Sequence, residues 1–256
     1  MRNPAVFLLA ILCITVPSFA RERQEPANSV PISQMSAQDL ETRGDALRSQ
    51  KDLSGALELY VKGTQKDPNN AVIWNKMGMT ELQLGRYKNA RKHFERAAKL
   101  KSDYAEAVNN IGVVYYQVGN YRKAISLYKK ALGIRDSASF HSNLGAAYFA
   151  QKKFSDAMNE YVAAIRLDPE VFERSSAAGV AGRVSRPEDR ARYAFMLARL
   201  YSKMGDSDHA LNQLRIALEN GYKDLDPLMK DEDFAALRRD PRFVELMQNK
   251  PTPIPD

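Results

Sequence analysis

A repeat of 33 or 34 residues is the feature of this 256-residue sequence that most limits its fold. Four kinds of residue return at that spacing: a glycine, an alanine, an aromatic residue and a second small residue. The four columns are Gly44, Gly78, Gly112 and Gly145; Ala56, Ala90, Ala124 and Ala157; Tyr60, Phe94, Tyr128 and Tyr161; and Gly63, Ala97, Ala131 and Ala164. Four columns in register indicate stacked structural repeats that bury their apolar faces against one another.

Each repeat is predicted to contain two helices with a short turn between them. In the second repeat, apolar residues recur at helical spacing over 71–84 and again over 87–100. The small residues Gly78 and Ala90 are expected where the two helices cross closely. The aromatic Phe94 is expected to fill the space between one hairpin and the next.

These columns, with the residues around them, resemble the tetratricopeptide repeat (TPR) family. The first-helix motif is present as Trp74 with Met77-Gly78, as Ile111-Gly112 with Tyr115, and as Leu144-Gly145 with Tyr148; the second-helix motif is present as Ala157, Tyr161, Ala164 and Pro169. The first repeat departs at Leu47, and a fifth repeat departs at Ala198 and Leu214. The resemblance implies an all-α, right-handed α-solenoid over about residues 37–223, with repeats near 37–70, 71–104, 105–137, 138–171 and 191–223 and an insertion at 172–190.

A solenoid needs a cap, because its last repeat exposes a face that a neighbour would otherwise cover. Asp226-Pro227 and Asp240-Pro241 are helix-start signals after the fifth repeat. Apolar residues follow them, among them Phe234, Leu237 and Phe243. We therefore expect two capping helices within residues 224–247 and a disordered, proline-containing tail at 248–256.

The amino terminus has the pattern of a cleavable signal peptide over residues 1–20. A short basic start precedes an apolar stretch at 5–16, and Ser18-Phe19-Ala20 provides small residues for cleavage. The alternative is an uncleaved membrane anchor. After cleavage, the mature chain would have no transmembrane segment and no cysteine. It would begin with a flexible linker at 21–36. The expected location is the periplasm or the outside of the cell.

The sequence contains no pattern typical of an enzyme, a metal site or a cofactor site. Its three histidines lie apart, its one cysteine lies in the apolar stretch, and it lacks a phosphate-binding glycine loop. We therefore predict a non-enzymatic protein without a cofactor. The net charge of +7 permits an anionic partner, but an exported protein is not expected to bind nucleic acid.

The resemblance places the candidate binding site on the concave surface formed by the first helices. In one TPR branch, the O-linked N-acetylglucosamine transferases, asparagines two residues before the glycine bind the backbone of a peptide. Asn110 and Asn143 occupy that place here, although both could instead bridge neighbouring helices. The predicted groove residues are Asn75, Asn109, Asn110, Val113, Tyr116, Asn143, Phe149, Phe195 and Arg199.

The predicted function is therefore that of an exported scaffold, an adaptor or assembly factor that binds protein or peptide segments in this groove. The alternative is a cell-envelope adaptor that binds anionic lipid or polymer through a basic convex face. That face is predicted on the second helix of the second repeat, at Lys88, Arg91, Lys92, Arg96, Lys99 and Lys101. A simpler interpretation of these charges is a solvated helix face. Groove binding should tolerate salt, whereas binding through the basic face should not.

Overall fold

The computed structural model describes residues 31–172 and 187–253, and every regular element in these ranges is helical. Within them, ten helices pair into five hairpins, here called units one to five: α1 (Ala37–Ser49) with α2 (Leu53–Lys66), α3 (Ala71–Gln83) with α4 (Tyr87–Leu100), α5 (Ala105–Gln117) with α6 (Tyr121–Ile134), α7 (Ala138–Ala150) with α8 (Phe154–Leu167), and α9 (Pro187–Lys203) with α10 (Ser207–Glu219). The all-α solenoid expected from the repeat is confirmed.

Contacts divide the chain between Met35 and Ser36, and the five hairpins and the carboxyl-terminal segment all belong to the part that begins at Ser36. At the carboxyl end of the predicted linker of 21–36, Ile32–Gln34 form a 3-10 turn and Ser36 caps α1. The Ser36 hydroxyl accepts a hydrogen bond from the Asp39 amide at 3.1 Å, and the Asp39 carboxylate accepts one from the Ser36 amide at 3.0 Å. These two bonds satisfy amides that the first helical turn leaves without partners.

Several predicted segments lie outside the described residues: the signal peptide at 1–20, linker residues 21–30, insertion residues 173–186 and tail residues 254–256.

Each repeating glycine lies against the aromatic residue of its own hairpin. A Cβ atom at Gly78 would lie 2.5 Å from Phe94, and one at Gly112 would lie 2.6 Å from the Tyr128 ring. Any larger residue at these positions would therefore push the two helices apart. The expected close crossing is present, and the aromatic ring fills space inside its hairpin as well as between hairpins. Phe94, for example, shares a buried cluster with Ile111 of the next unit.

The carboxyl-terminal segment covers the end of unit five. It contains α11 (Asp226–Lys230), 3-10 turns at Glu232–Phe234 and Leu237–Arg239, and α12 (Pro241–Gln248). Its side chains at Leu228, Phe234, Leu237 and Phe243 are all buried. Both α-helices begin at the Asp-Pro pairs noted above, whereas Phe234 and Leu237 lie in 3-10 turns and not in helices.

Candidate functional site

Polar contacts join the first helices of units one to four. We call this set the polar row; it comprises Glu41, Asp45, Asn75, Lys76, Asn109, Asn110 and Asn143. Most of its contacts cross from one unit to the next, between residues that are 31 to 35 positions apart in the sequence. The row therefore follows the surface on which the repeat pattern places the groove.

At its amino-terminal end the polar row is ionic. The ammonium group of Lys76 on α3 donates hydrogen bonds to both Glu41 and Asp45 on α1. Burial favours the neutral amine, but the bonds to the two carboxylates outweigh that effect and raise the pKa of Lys76. Asp45 also accepts a hydrogen bond from the Tyr60 hydroxyl at 2.7 Å. The charge of Lys76 is therefore balanced by carboxylates within the protein.

The middle of the polar row consists of four amide side chains. Asn143 donates to Asn109 at 3.0 Å, Asn109 donates to Asn110 at 3.2 Å, and Asn110 donates to Asn75 at 3.0 Å. These bonds connect α3, α5 and α7. The structure thus supports the bridging alternative for both Asn110 and Asn143.

The amides nevertheless retain hydrogen-bonding capacity. A side-chain amide offers two N–H donors and two oxygen lone pairs, and Asn110 uses one of each within the row. Asn75, Asn109 and Asn143 are buried, whereas Asn110 is half-buried. Asn110 is therefore the amide of the row from which a ligand could accept, or to which it could donate, a further bond.

Aromatic side chains from several helices fill the surface beside units three and four. Tyr116 packs on Tyr121 with ring centroids 5.2 Å apart, and Phe149 packs edge-on against Tyr193 of α9 at 5.6 Å. Burial raises the pKa of Tyr116 to about 12. Tyr116 and Phe149 are thus largely covered, and Tyr193, a residue that the sequence analysis missed, provides part of that cover.

Phe195 and Arg199 of α9 face the carboxyl-terminal segment, where Phe195 is buried and Arg199 stays exposed. Phe195 stacks on Tyr222 with a centroid distance of 4.1 Å and contacts Phe234. Arg199 forms ion pairs with Asp231 at 2.8 Å and Asp233 at 2.9 Å. The carboxyl-terminal segment, or cap, lies where the next repeat of a longer array would lie. Because it is irregular, the repeat pattern of the sequence does not predict its position.

Among the predicted groove residues, Arg199 is exposed but paired with the cap, and Asn110 and Val113 of α5, in the middle of the array, are half-buried. Met79 of α3 is half-buried as well. Met79 also accepts a long hydrogen bond from Asn75 at 3.7 Å through its sulfur atom. We call Met79, Asn110 and Val113 the central patch.

The described ranges contain neither a metal-binding cluster nor a membrane-spanning helix. Within residues 31–172 and 187–253, no three histidine, cysteine, aspartate or glutamate side chains lie together in a way that could hold a metal ion. In the same ranges, the helices are all too short or too polar to cross a membrane.

Family models agree with the repeat architecture. Tetratricopeptide repeat models match residues 69–137, 138–171 and 191–219. These matches cover half of the chain, and the glycine–aromatic packing described above accounts for their spacing. The chain belongs to the tetratricopeptide repeat family.

Curated relatives match parts of the array. BBSome complex member BBS4 of Bos taurus is 30% identical over 109 residues, which is 42% of this chain and 21% of that protein. Small glutamine-rich tetratricopeptide repeat-containing protein 2 of Mycosarcoma maydis is 26% identical over 101 residues, which is 40% of this chain and 29% of that protein. The matched regions span less than a third of these two relatives.

Solved structures share the fold. The thermophilic TPR protein TTC0263 of Thermus thermophilus aligns with a TM-score of 0.53 and 22% identity, covering 79% of this chain and all of that one. A Pseudomonas aeruginosa pilF structure aligns with a TM-score of 0.52 and 18% identity, covering 79% of this chain and 81% of that one. At these identities the likeness concerns the fold alone.

Proposed function

We propose that this protein is an exported TPR scaffold that binds a protein or peptide segment through the central patch, as an adaptor or assembly factor. Half-burial of Asn110, with one donor and one acceptor still available, is the observation that carries the proposal. An extended peptide backbone offers the complementary acceptor and donor. Met79 and Val113, the other members of the patch, supply apolar surface.

The charges of the surface favour a neutral, partly apolar segment over an acidic tail. Lys76 is neutralised by Glu41 and Asp45, and Arg199 by Asp231 and Asp233. An acidic ligand would have to displace a carboxylate of the protein from either cation, and for Lys76, whose side chain is only 20% exposed, breaking the pairs is costly. A neutral segment needs no such exchange.

Two further lines of support concern class and location. The relatives named above include a member of a multiprotein complex, which fits a scaffold. The apolar stretch at 5–16 and the small residues Ser18 and Ala20 support export. Mass analysis of exported protein should find Arg21 as the first residue, and a full-length cytoplasmic product would contradict export.

Selection from a displayed library of random peptides tests the groove proposal without a known partner. Peptides enriched on the wild-type chain should bind Val113→Glu at least about tenfold more weakly, because the new carboxylate would be desolvated against an apolar ligand.

Val118→Glu is the matched control for this experiment. Val118 caps the same helix but is well exposed, so peptide affinity should change by less than about twofold, as is usual for surface sites. Thermal melts establish that both variants are folded. If the enriched peptides bind Val113→Glu and Val118→Glu equally well, the central patch is not the site.

A further inference from the structure

The second helices of the five units differ sharply in charge. Their net charges are +1 for α2, +4 for α4, +4 for α6, −1 for α8 and −1 for α10. Helix α4 carries five basic residues and one acidic residue, and α6 carries four basic residues and no acidic residue. The positive charge of the second helices is therefore concentrated on those of two consecutive units, two and three.

The basic side chains of these helices point away from the core. Both helices bury a stripe of small and aromatic residues, namely Ala90, Phe94 and Ala97 on α4 and Ala124, Tyr128 and Ala131 on α6. The exposed cations are Lys88, Lys92 and Lys99 on α4 and Arg122, Lys123, Lys129 and Lys130 on α6. Lys129 lies over the Tyr148 ring, 5.7 Å from its centroid, and we call the other six residues the basic outer face.

The two helices form one surface. Leu127 of α6 packs against the buried cluster that contains Ala90 and Phe94 of α4, so α4 and α6 lie beside each other across α5. Each has 14 residues, which corresponds to about 21 Å of helix. The face is therefore broad enough to contact an extended surface rather than a single small anion.

The charge of this face is not compensated within the described residues. Glu95, the acidic residue of α4, pairs with Arg91 at 3.6 Å, and Arg91 is not part of the face. The six cations of the face have no ion pair in residues 31–172 and 187–253. Concentrated charge of one sign without a partner attracts an anionic surface.

We propose that the basic outer face binds the surface of an anionic lipid bilayer. Five of its six residues are lysines, which act as strongly hydrated point charges on flexible stems and suit a diffuse layer of headgroups. Within the described residues, every large apolar side chain that is exposed lies outside α4 and α6. The contact is therefore electrostatic and peripheral.

Nucleic acid is the competing anionic partner. Its single-stranded form is bound through exposed aromatic rings on which bases stack. On α4 and α6, Phe94 and Tyr128 are buried, and Tyr87 and Tyr121 are half-buried. The face thus lacks the exposed stacking platform that would favour a nucleic acid.

Vesicle flotation tests the proposal with the full-length chain. The vesicles contain phosphatidylcholine either alone or mixed with phosphatidylglycerol, and the pure phosphatidylcholine sample measures any binding through the apolar stretch at 5–16. We expect added binding to the anionic vesicles, and we expect it to disappear when the ionic strength rises from about 0.05 M to about 0.5 M. Binding that is independent of anionic lipid would overturn the proposal.

Two triple variants with the same charge change identify the surface. Lys88→Glu/Lys92→Glu/Lys130→Glu alters the basic outer face and should weaken the anionic-lipid component at least about tenfold. Lys62→Glu/Arg166→Glu/Arg215→Glu alters the second helices of units one, four and five and should weaken it less than about threefold. Equal losses would mean that net charge alone is responsible, which would contradict the proposal.

A DNA titration on the same three proteins separates the two anionic partners. If a DNA oligonucleotide binds more tightly than the anionic vesicles at equal ionic strength, and only the first triple variant abolishes that binding, the face is a nucleic-acid site and the lipid proposal is wrong.

Discussion

The two ends of the array are built differently. From Tyr116 through unit five to Phe243 of the cap, the buried apolar residues form one continuous cluster. Toward the amino terminus, the described buried residues form separate clusters of three or four members, such as Ala56, Tyr60, Ile73 and Met77. Units one and two, which contribute no residue to the continuous cluster, therefore rely more on contacts between neighbours, including the polar row.

This difference predicts a difference in stability between the two parts. In repeat proteins, each unit is stabilised mainly by its neighbours, so a continuous core should unfold as one block and separate clusters should open more locally. The carboxyl-terminal part is the more stable one by this argument. Both accessible surfaces lie where the two parts meet, because Met79 and α4 belong to the amino-terminal part whereas Val113 and α6 pack on the continuous core.

Removing the aromatic anchor of the cap should have the largest effect. Phe234 is completely buried and contacts Phe195 of α9. We expect Phe234→Ala to lower the free energy of unfolding by about 3–5 kcal/mol, as is typical for a truncated core aromatic residue. Urea titration measures this loss.

Hydrogen exchange on Phe234→Ala then tests whether the carboxyl-terminal part unfolds as one block while the amino-terminal part stays protected. Protection should fall in α9 and α10 and stay nearly unchanged in α1 and α2. Val244→Ala is the control, because Val244 lies on α12 but is exposed and its loss should cost less than about 0.5 kcal/mol. An equal loss of protection in all units would mean that the two parts do not differ in cooperativity.

The fold could be predicted from the sequence because its packing repeats. The glycine and aromatic columns to which Gly78 and Phe94 belong return every 33 or 34 residues, and this spacing indicates which two helices contact each other. The cap was predictable only in part: Asp226-Pro227 and Asp240-Pro241 mark helix starts, but nothing periodic places Phe234 over Phe195. The contacts of an irregular segment occur once in the chain, so no repeating sequence pattern predicts them.

The site was less predictable than the fold for a related reason. Groove positions were identified from helix phase, which gives the direction of a side chain but not its partner. Lys76 stands about one repeat after Glu41 and Asp45, and that offset could have indicated an ion pair between first helices. The cover over Phe149 depends on Tyr193, which follows the insertion and so lies outside the regular register.

Alkaline pH should weaken the continuous core. The folded-state pKa of Tyr116 is about 12, above the ordinary value of about 10, so folding favours its protonated form. This contribution is complete below about pH 10 and is lost as the pH rises toward 12. The loss attributable to Tyr116 should be about 1 kcal/mol at pH 11 and about 2–3 kcal/mol above pH 12.

Tyr116→Phe isolates that contribution, because it keeps the ring and removes the ionisable hydroxyl. Unfolding free energies measured at pH 9 and pH 11 should fall less between the two values in the variant than in the wild type. An identical fall in both proteins would show that Tyr116 is not held in its protonated form by the core.

The smallest expected effect concerns the polar row, and it separates structural bridging from ligand binding. Asn75 and Asn110 share one hydrogen bond, so either alanine variant breaks it, and a double-mutant cycle on unfolding should give a coupling of about 0.5–1.5 kcal/mol. Only Asn110 belongs to the accessible central patch, since Asn75 is buried. Asn110→Ala should therefore weaken binding of the library-selected peptides by about 5- to 10-fold, whereas Asn75→Ala should largely retain it. Equal losses would mean that peptide affinity follows the integrity of the row, and retention in both folded variants would remove Asn110 from the site.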